Sequence, residues 1–230
     1  MNIAGLQKTT LLDFPGHIAC TVFLAGCNLR CPFCHNASLV LPEQFQSPQM
    51  SEAELLDFLK TRQRKLRGVC ITGGEPTLYG DLPQLLEEIR SLGFLTKLDT
   101  NGTNPSMLQS LLERHLVDYV AMDIKNSPGR YAQTCGNLDF LEQVKRSAAL
   151  LMECGIDYEF RTTVCHPLHD AEAMAEIGQW LQGAKRYYLQ QFVDSGQLVG
   201  SGISAPTPQQ LEQLRQAVLP FIENTYIRGI

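Results

Sequence analysis

Six short apolar runs alternate with amphipathic segments along most of this chain. The runs cover residues 18–25, 68–72, 94–99, 117–123, 157–163 and 186–191. They are rich in β-branched and aromatic residues, as is typical of strands that are buried on both faces. Strands that alternate with helices pair in parallel through right-handed crossovers, so this pattern predicts an α/β fold.

The segments between the runs carry recognisable helix starts. A capping box is predicted at Ser51 with Glu54. Thr207, Pro208 and Gln210 are predicted to open the last helix. Single side-chain caps are predicted at Asp81 and Asp170. Each of these residues precedes apolar residues at helical spacing, which predicts helices that pack one face against the sheet.

The number of strands limits the type of sheet. A closed eight-stranded barrel typically needs about 250 residues, whereas this chain has 230 residues and six predicted strands. We therefore predict an open, partial (βα)6 barrel of the TIM type over residues 18–230, in a single domain. Residues 1–17 are predicted to form a short N-terminal hairpin or lid.

Charge and cysteine content narrow the functional class. The net charge of −5 leaves no electrostatic footprint for nucleic acid or for an anionic membrane. No apolar run approaches the length of a membrane span, and residues 1–16 show no export signal. Eight cysteines in such a chain indicate the reducing cytosol, where clustered cysteines serve metal or redox chemistry. We therefore expect a cytoplasmic enzyme.

The segment AGCNLRCPFCHN, residues 25–36, holds Cys27, Cys31 and Cys34 in a C-x3-C-x2-C spacing. A structural zinc site takes four protein ligands, and His35 follows Cys34 too closely to complete a tetrahedron easily. A disulfide would leave one thiol unpaired, and disulfides are rare in the cytosol. Buried cysteines also occur as small apolar core residues, but this loop is too polar to belong to the core. A [4Fe–4S] cluster normally takes four thiolates, so three leave one iron open to a ligand. We predict a catalytic cluster of this kind.

Further polar motifs follow the predicted strands at their carboxyl ends, where α/β proteins build their active sites. They are Gly73–Thr77, Asp99–Gly102, Asp123–Lys125 and Arg161. Purely structural interpretations stay open for each motif: a tight turn for the glycines, a loop carboxylate for Glu75, turn chemistry for the third-strand motif, and ion pairs for the last two.

These motifs resemble those of a known superfamily. The cysteine spacing, with the aromatic Phe33 before the third cysteine, is similar to the signature of radical S-adenosylmethionine enzymes, and GGEPT is similar to their GGEP motif. In that superfamily the open iron binds the amino and carboxylate groups of S-adenosylmethionine, and the reduced cluster cleaves it to a 5′-deoxyadenosyl radical. The usual core of the superfamily is a partial (βα)6 barrel.

Within the superfamily the chain resembles the glycyl-radical-enzyme activases, and most closely the activating proteins of anaerobic ribonucleoside-triphosphate reductase. This resemblance rests on LLDFPG, CTVFLAGCNLRCPFCHN, TGGEPT, LDTNG and MDIK, and it runs from about Gly5 to Asp170. It implies an enzyme that abstracts a hydrogen atom from a backbone glycine of a partner, the glycyl-radical enzyme. Flavodoxin or ferredoxin is the expected electron donor.

The resemblance also implies roles for the residues at the strand ends. Gly73, Gly74 and Glu75 are expected to line the amino group of S-adenosylmethionine. Asp99 and Thr100 are expected to contribute to the same amino group and to a nearby monovalent cation.

The last two motifs are expected to bind the rest of the molecule. Asp123 is expected to accept hydrogen bonds from the ribose hydroxyls, and Lys125 to meet the methionine carboxylate. These two residues match the family's ribose motif. Arg161 is expected to position the carboxylate.

Residues near the cysteines complete the predicted site. Phe33 is expected to cover the adenine, and His35 and Asn36 to hydrogen-bond the cluster sulfurs or the adenosine. Phe192 stands near the place where related activases have a histidine, so it is expected to pack on the base. The two histidines of CHPLHD are interpreted as loop residues rather than ligands.

Other functions stay open at this point. The partner could be a pyruvate formate-lyase-like enzyme, or the substrate a small molecule such as a deazapurine or a cofactor precursor. A non-catalytic metal-binding or electron-transfer module is a third possibility, but it would leave the GGEP and DIK motifs without a ligand. Residues that touch a partner's glycine loop are expected among 1–17 and 192–206.

Overall fold

The computed structural model describes residues 1–34, 36–44, 48–194, 196 and 198–229. In these ranges the strands are β1 (Ile3–Thr10), β2 (Ala19–Leu24), β3 (Gly68–Gly73), β4 (Leu95–Thr100), β5 (Tyr119–Asp123), β6 (Asp157–Val164), β7 (Tyr187–Gln191) and β8 (Thr225–Arg228). The α-helices are α1 (Ala37–Val40), α2 (Glu52–Arg62), α3 (Leu82–Ser91), α4 (Pro105–Glu113), α5 (Tyr131–Thr134), α6 (Leu141–Glu153), α7 (Ala171–Trp180) and α8 (Pro208–Val218). The six predicted strands correspond to β2 through β7, and their ends agree within two residues.

The chain divides into two compact units. The first holds residues 1–28, 38–100 and 104–120, and the second holds residues 29–37, 101–103 and 121–230. Strand β5 contributes its first two residues to the first unit and its last three to the second. No helix in the described ranges is long and apolar enough to cross a bilayer.

In the first unit, β1 pairs antiparallel with β2, and β2, β3 and β4 pair in parallel. This pairing confirms the predicted N-terminal hairpin. Ile3 lies opposite Leu24, so the start of β1 is at the end of β2 from which the cysteine loop departs. Residues 11–16, the LLDFPG segment, join the other ends of the two strands.

In the second unit, β6, β7 and β8 pair in parallel, and β8 is a strand that the sequence analysis misses. Arg228 on β8 donates hydrogen bonds of 2.9 and 3.2 Å to the two carboxylate oxygens of Glu159 on β6. Its guanidinium also lies 3.9 Å from the ring centroid of Tyr188 on β7. Glu159 is 1% exposed, so Arg228 helps to neutralise a buried charge.

We expect Arg228→Met to lower the free energy of unfolding by about 1–3 kcal/mol, because the buried carboxylate of Glu159 loses two hydrogen bonds to a charged donor. Urea unfolding followed by circular dichroism measures the change. Lys145→Met is the control, because it removes an exposed Lys–Glu pair of similar length, 2.9 Å, and should change stability by at most about 1 kcal/mol. Equal stability of the two variants would show that the Arg228–Glu159 pair does not hold β8.

The predicted helix starts are confirmed with one exception. Ser51 and Thr207 form capping boxes, and Asp170 accepts a hydrogen bond of 2.9 Å from Ala173 N. The prediction for Asp81 is wrong: it occupies the N-cap position of α3, but its side chain makes no capping hydrogen bond. Its ψ is 1°, whereas ψ of Ser51 is 163°. A capping side chain needs this extended backbone to reach the free N–H groups of the first turn.

Candidate active site

The Gly73–Gly74 turn packs directly against the start of the cysteine loop in the first unit. Gly74 N donates a hydrogen bond of 2.8 Å to Leu24 O, and the next N–H donates one of 2.7 Å to Gly26 O. A Cβ on Gly74 would lie 2.0 Å from Gly26 O. A Cβ on Gly73 would lie 2.1 Å from Leu24 O. Both glycines therefore permit the close approach of two backbones, and this contact positions the residue after Gly26, Cys27.

The carboxylate of Glu75 is fully buried. Its Oε1 accepts hydrogen bonds from Thr77 N, at 3.0 Å, and from Thr100 Oγ1, at 2.7 Å. Glu75 therefore caps the short 3-10 turn Pro76–Leu78 and ties it to the end of β4. The predicted contacts of Glu75 and Thr100 with an amino group stay predictions. No pattern in the sequence predicts the hydrogen bond between these two side chains.

Asp99 on β4 lies beside a charged residue that the sequence analysis overlooks. Lys97, on the same face of β4, forms an ion pair through its Nζ with Asp99 Oδ1. Asp99 Oδ2 accepts a hydrogen bond of 3.4 Å from Thr72 Oγ1 on β3. The sequence does hold a sign of this pair: Lys97 stands inside a short apolar run. Lysine is rarely buried unless its charge is paired, so its position indicates a nearby carboxylate. The carboxylate expected to meet a free monovalent cation thus already has a cationic partner in the protein.

The second unit holds the rest of the cysteine loop through backbone hydrogen bonds. Arg30 N donates to Cys135 O at 3.1 Å. Gly200 N donates to Pro32 O at 2.9 Å, and the residue before it donates to Cys34 O at 3.1 Å. A Cβ on Gly200 would lie 2.4 Å from the Cβ of Pro32, so the contact requires glycine. Part of the segment expected near a partner's glycine loop therefore lies directly against the cysteine loop.

The environment of the thiols in the second unit favours their protonated form. A hydrogen bond with Cys135, together with burial, raises the pKa of the Cys31 thiol well above its usual range, although Lys125 opposes the shift. Burial likewise raises the pKa of the Cys34 thiol, and a hydrogen bond from Asn36 N–H opposes this. Because metal ligands must be thiolates, binding of a cluster would release these protons.

Asp123, Lys125 and Arg161 form a triad of charges in the second unit. Asp123 Oδ1 lies 2.7 Å from Arg161 Nε, and its Oδ2 lies 3.0 Å from Lys125 Nζ. Burial acts to raise the pKa of Asp123, but the two cations outweigh it and hold this pKa well below the usual range. The exposed fraction of the side chain is 29% for Asp123, 17% for Lys125 and 15% for Arg161. A ligand can therefore reach all three from solvent.

His169 lies in the loop between β6 and α7, as predicted, but it is buried there and holds the backbone of Lys125. Its Nε2 lies 2.9 Å from Lys125 O, and a carbonyl only accepts, so Nε2 carries the proton. Its Nδ1 lies 3.2 Å from both the N and the O of Cys165, and in this tautomer it accepts from Cys165 N. Burial lowers the pKa of His169, which keeps the ring neutral. The ring of Phe33 packs edge-on against it, with the centroids 6.1 Å apart.

The remaining predicted residues are placed as follows. Phe33 and Phe192 are both buried, and their predicted contacts with the adenine stay predictions. Phe33 does have a protein partner, the imidazole described above. The backbone N–H of Asn36 is directed at the Cys34 thiol, which places one hydrogen-bond donor beside a predicted cluster sulfur. His35 lies outside the described residues.

Comparison with known proteins identifies the family. Residues 21–182, more than half of the chain, match the Radical SAM superfamily. This range contains the cysteine loop, the Gly73–Gly74 turn and the charged triad. The chain belongs to the radical SAM superfamily.

Several radical SAM relatives are similar in sequence. A Methanocaldococcus jannaschii protein, provisionally named a glycyl-radical enzyme activating enzyme, is 28% identical over 235 residues, which cover 99% of this chain and 96% of that protein. The pyruvate formate-lyase-activating enzyme of Clostridium pasteurianum is 30% identical over 129 residues, 54% of this chain and 52% of that enzyme. The 7-carboxy-7-deazaguanine synthase of Methanothermobacter thermautotrophicus is 38% identical over 108 residues, 45% of this chain and 40% of that enzyme.

Solved structures share the fold. Streptococcus suis SuiB bound to S-adenosylmethionine has a TM-score of 0.68 at 17% identity, covering 91% of this chain and 52% of SuiB. Native anSMEcpe with bound AdoMet has a TM-score of 0.62 at 20% identity, covering 86% of this chain and 58% of that protein. This chain therefore spans about half the length of those two structures. The likeness confirms the predicted α/β fold, an open, partial barrel of the TIM type.

Membership of the radical SAM superfamily implies a [4Fe–4S] cluster and S-adenosylmethionine. Among the described residues, no three His, Cys, Asp or Glu side chains are gathered as a ready metal site. The donor set nevertheless fits a cluster, because three free thiols lie within eight residues and thiolates are the ligands that iron–sulfur clusters take.

If the charged triad binds S-adenosylmethionine, Asp123→Asn should weaken that binding by about ten- to a hundredfold. Hydrogen bonds to charged groups contribute about 1.5–3 kcal/mol, and about 1.4 kcal/mol corresponds to a factor of ten. Titration of S-adenosylmethionine into the reconstituted variant measures the affinity, and iron content should stay unchanged.

Asp118→Asn is the matched control for this experiment. Asp118 is also 29% exposed and also pairs with an arginine, Arg90, at 2.5 Å, but it stands at the start of β5. Its replacement should lower the melting temperature and leave the affinity intact. An unchanged affinity for Asp123→Asn, with a large fall in melting temperature, would leave a purely structural ion pair as the role of Asp123.

Proposed function

We propose that this radical SAM protein is a glycyl-radical-enzyme activating enzyme and that its partner is anaerobic ribonucleoside-triphosphate reductase. One observation carries the proposal: the M. jannaschii relative that aligns along 99% of this chain bears the name of such an activating enzyme. The matches to the deazaguanine synthase and to the pyruvate formate-lyase activase cover about half of this chain. The LLDFPG and CHN motifs, with the DTNG and DIK pair, support an activase. The resemblance as a whole, which is greatest to the activating proteins of anaerobic ribonucleoside-triphosphate reductase, supports the reductase as the partner.

The three cysteines of the loop are proposed to hold the cluster. Two backbone contacts support this role: the Gly73–Gly74 turn beside the first cysteine, and the Arg30 and Gly200 hydrogen bonds beside the other two. In each unit, these contacts limit the positions that the thiolates of that unit can take. A preorganised ligand loop of this kind binds a cluster at less entropic cost than a mobile one.

The charged triad is proposed to bind the polar groups of S-adenosylmethionine. Lys125 and Arg161 carry the positive charges that attract a carboxylate, and Asp123 supplies an acceptor for ribose hydroxyls. His169 supports the arrangement because it fixes the carbonyl of Lys125. Both oxygens of Asp123 lie beside cations, which fix the orientation of the carboxylate proposed to accept from the ribose.

When bound, the cluster and S-adenosylmethionine supply a 5′-deoxyadenosyl radical, after transfer of one electron from flavodoxin or ferredoxin. In the net reaction, one hydrogen atom from a glycine Cα of the partner goes to the 5′ carbon of the adenosyl group, which becomes 5′-deoxyadenosine. The reaction leaves methionine and a glycyl radical on the partner. The segment around Gly200 lies against the cysteine loop, which supports a role in receiving the partner's glycine.

The test uses the full chain, reconstituted anaerobically with iron and sulfide. It is mixed with S-adenosylmethionine, reduced flavodoxin and an anaerobic ribonucleotide reductase that is deuterated at its glycines. We expect a glycyl signal in electron spin resonance and deuterium in the 5′-deoxyadenosine. A reductase whose radical glycine is replaced by alanine is the control, and it should give neither result.

Two other candidates are distinguished by the same assay. The Clostridium pasteurianum match favours a pyruvate formate-lyase-like partner, which would acquire the glycyl signal while the reductase does not. The deazaguanine synthase match, at 38% identity, favours a small-molecule substrate. In that case neither the reductase nor the lyase-like enzyme would acquire a glycyl radical. Addition of a deazapurine precursor would give 5′-deoxyadenosine, and the precursor would be consumed.

A further inference from the structure

Lys97 on β4 is a lysine whose side chain is 2% exposed. Lysine is almost never buried to this extent unless its charge is paired. The residue precedes the LDTNG motif and has no part in the proposed reaction. Its burial therefore calls for a function of its own.

The ammonium group of Lys97 is surrounded by groups that favour a cation. It forms an ion pair with Asp99, which shares its face of the strand. Cys70, its register neighbour on β3, places Sγ 3.8 Å from Nζ. The ring centroid of Tyr119 lies 5.8 Å from Nζ, within the range of a cation–π attraction.

Asp99 is held from two strands by this arrangement. One carboxylate oxygen meets Lys97, and the other accepts the hydrogen bond from Thr72. A free alkali cation bound at the same carboxylate would lie close to the ammonium of Lys97. The two positive charges would repel each other strongly in this buried place, where solvent screens them little. The surroundings of Asp99 therefore do not fit the free monovalent cation that the family resemblance implies.

We infer that the Lys97 ammonium is itself the cation of the Asp99 site, so that this chain binds S-adenosylmethionine without Na⁺ or K⁺. Lys97 is then a positioning residue, because it acts through the carboxylate that it neutralises and orients. The link to S-adenosylmethionine rests on the proposed function, whereas the ion pair does not.

The experiment compares salts at one ionic strength. The reconstituted protein is titrated with S-adenosylmethionine in choline chloride, and then with increasing shares of KCl or NaCl. Melting temperatures are recorded in the same buffers. For the wild-type protein we expect affinities that agree within about twofold and melting temperatures that do not depend on the alkali cation. A tenfold or larger gain in affinity that saturates with K⁺ or Na⁺ would overturn the inference.

Lys97→Met removes the charge and keeps a side chain of similar length. We expect its affinity for S-adenosylmethionine to fall tenfold or more in choline chloride and to recover with K⁺ or Na⁺, with a parallel rise in melting temperature. Lys60→Met is the matched control, because Lys60 also pairs with an aspartate, Asp57, but is 58% exposed. It should show neither effect. A Lys97→Met variant that does not respond to alkali cations would also overturn the inference.

Two further measurements cover the remaining outcomes. If Lys97→Met does not fold, the double variant Lys97→Met/Asp99→Asn, neutral at both positions, replaces it and should be indifferent to alkali cations. A response of that variant to K⁺ would place the cation elsewhere and overturn the inference. If the wild-type protein binds no S-adenosylmethionine in any salt, the proposed function fails, and the melting temperatures still test Lys97.

Discussion

Cys31→Ala is expected to abolish both the binding of an iron–sulfur cluster and the reductive cleavage of S-adenosylmethionine. The same result is expected for Cys27→Ala and Cys34→Ala, because each variant leaves two of the three thiols in the loop. A cluster that already has one iron without a protein ligand would then have two. Iron and sulfide content, visible absorption and the yield of 5′-deoxyadenosine measure the loss.

Cys154→Ala is the control for these variants. Cys154 is a free cysteine with the intermediate burial of Cys27 and Cys34. It stands outside the loop, and its Sγ lies 3.0 Å from Leu151 O at the end of α6. The variant should bind the cluster and cleave S-adenosylmethionine as the wild type does. Cleavage by Cys31→Ala at a wild-type rate would show that the cluster is held by other residues.

Gly74→Ala is expected to reduce cluster binding almost as severely, although it removes no ligand. The new Cβ would lie 2.0 Å from Gly26 O, far inside van der Waals contact. The backbone next to Cys27 must therefore move, and the hydrogen bond that joins the two loops is strained. Overpacking of this kind typically costs about 1–3 kcal/mol. We expect a lower melting temperature and an iron content below about half of the wild-type value.

Gly80→Ala is the matched control, because a Cβ at Gly80 would meet no atom within 4 Å. Iron content and melting temperature should both stay at wild-type values. If Gly74→Ala took up a full cluster at an unchanged melting temperature, the turn would not position the cysteine loop. The role assigned to the Gly73–Gly74 contact would then be wrong.

The strands of the barrel were predictable because they are buried on both faces. Such strands appear in the sequence as continuous apolar runs between turn residues, and β2 through β7 agree with the prediction within two residues. Strand β8 has four residues, Thr225 to Arg228, and half of them are polar. It is a strand because it pairs with β7 and because Arg228 reaches Glu159, and neither contact has a local signature.

The capping residues show the same division on a smaller scale. Ser51 and Thr207 were predictable because a capping box is formed by residues three positions apart. Asp81 has a suitable side chain and stands at the right position, but the approach of the chain to α3 gives it the wrong ψ. That approach depends on how the preceding turn packs.

The cluster ligands could be predicted from the sequence because the three cysteines lie within eight consecutive residues, and their spacing suggests the chemistry. The partners of the charged and polar side chains could not be assigned in this way. Glu75 binds Thr100, 25 residues away, and Asp123 binds Arg161, 38 residues away. Such contacts depend on the register between strands that meet only in the folded chain. The burial of Lys97 beside Cys70 also depends on the register between β3 and β4. A sequence shows where a charged residue stands, but only the folded chain shows which group neutralises it.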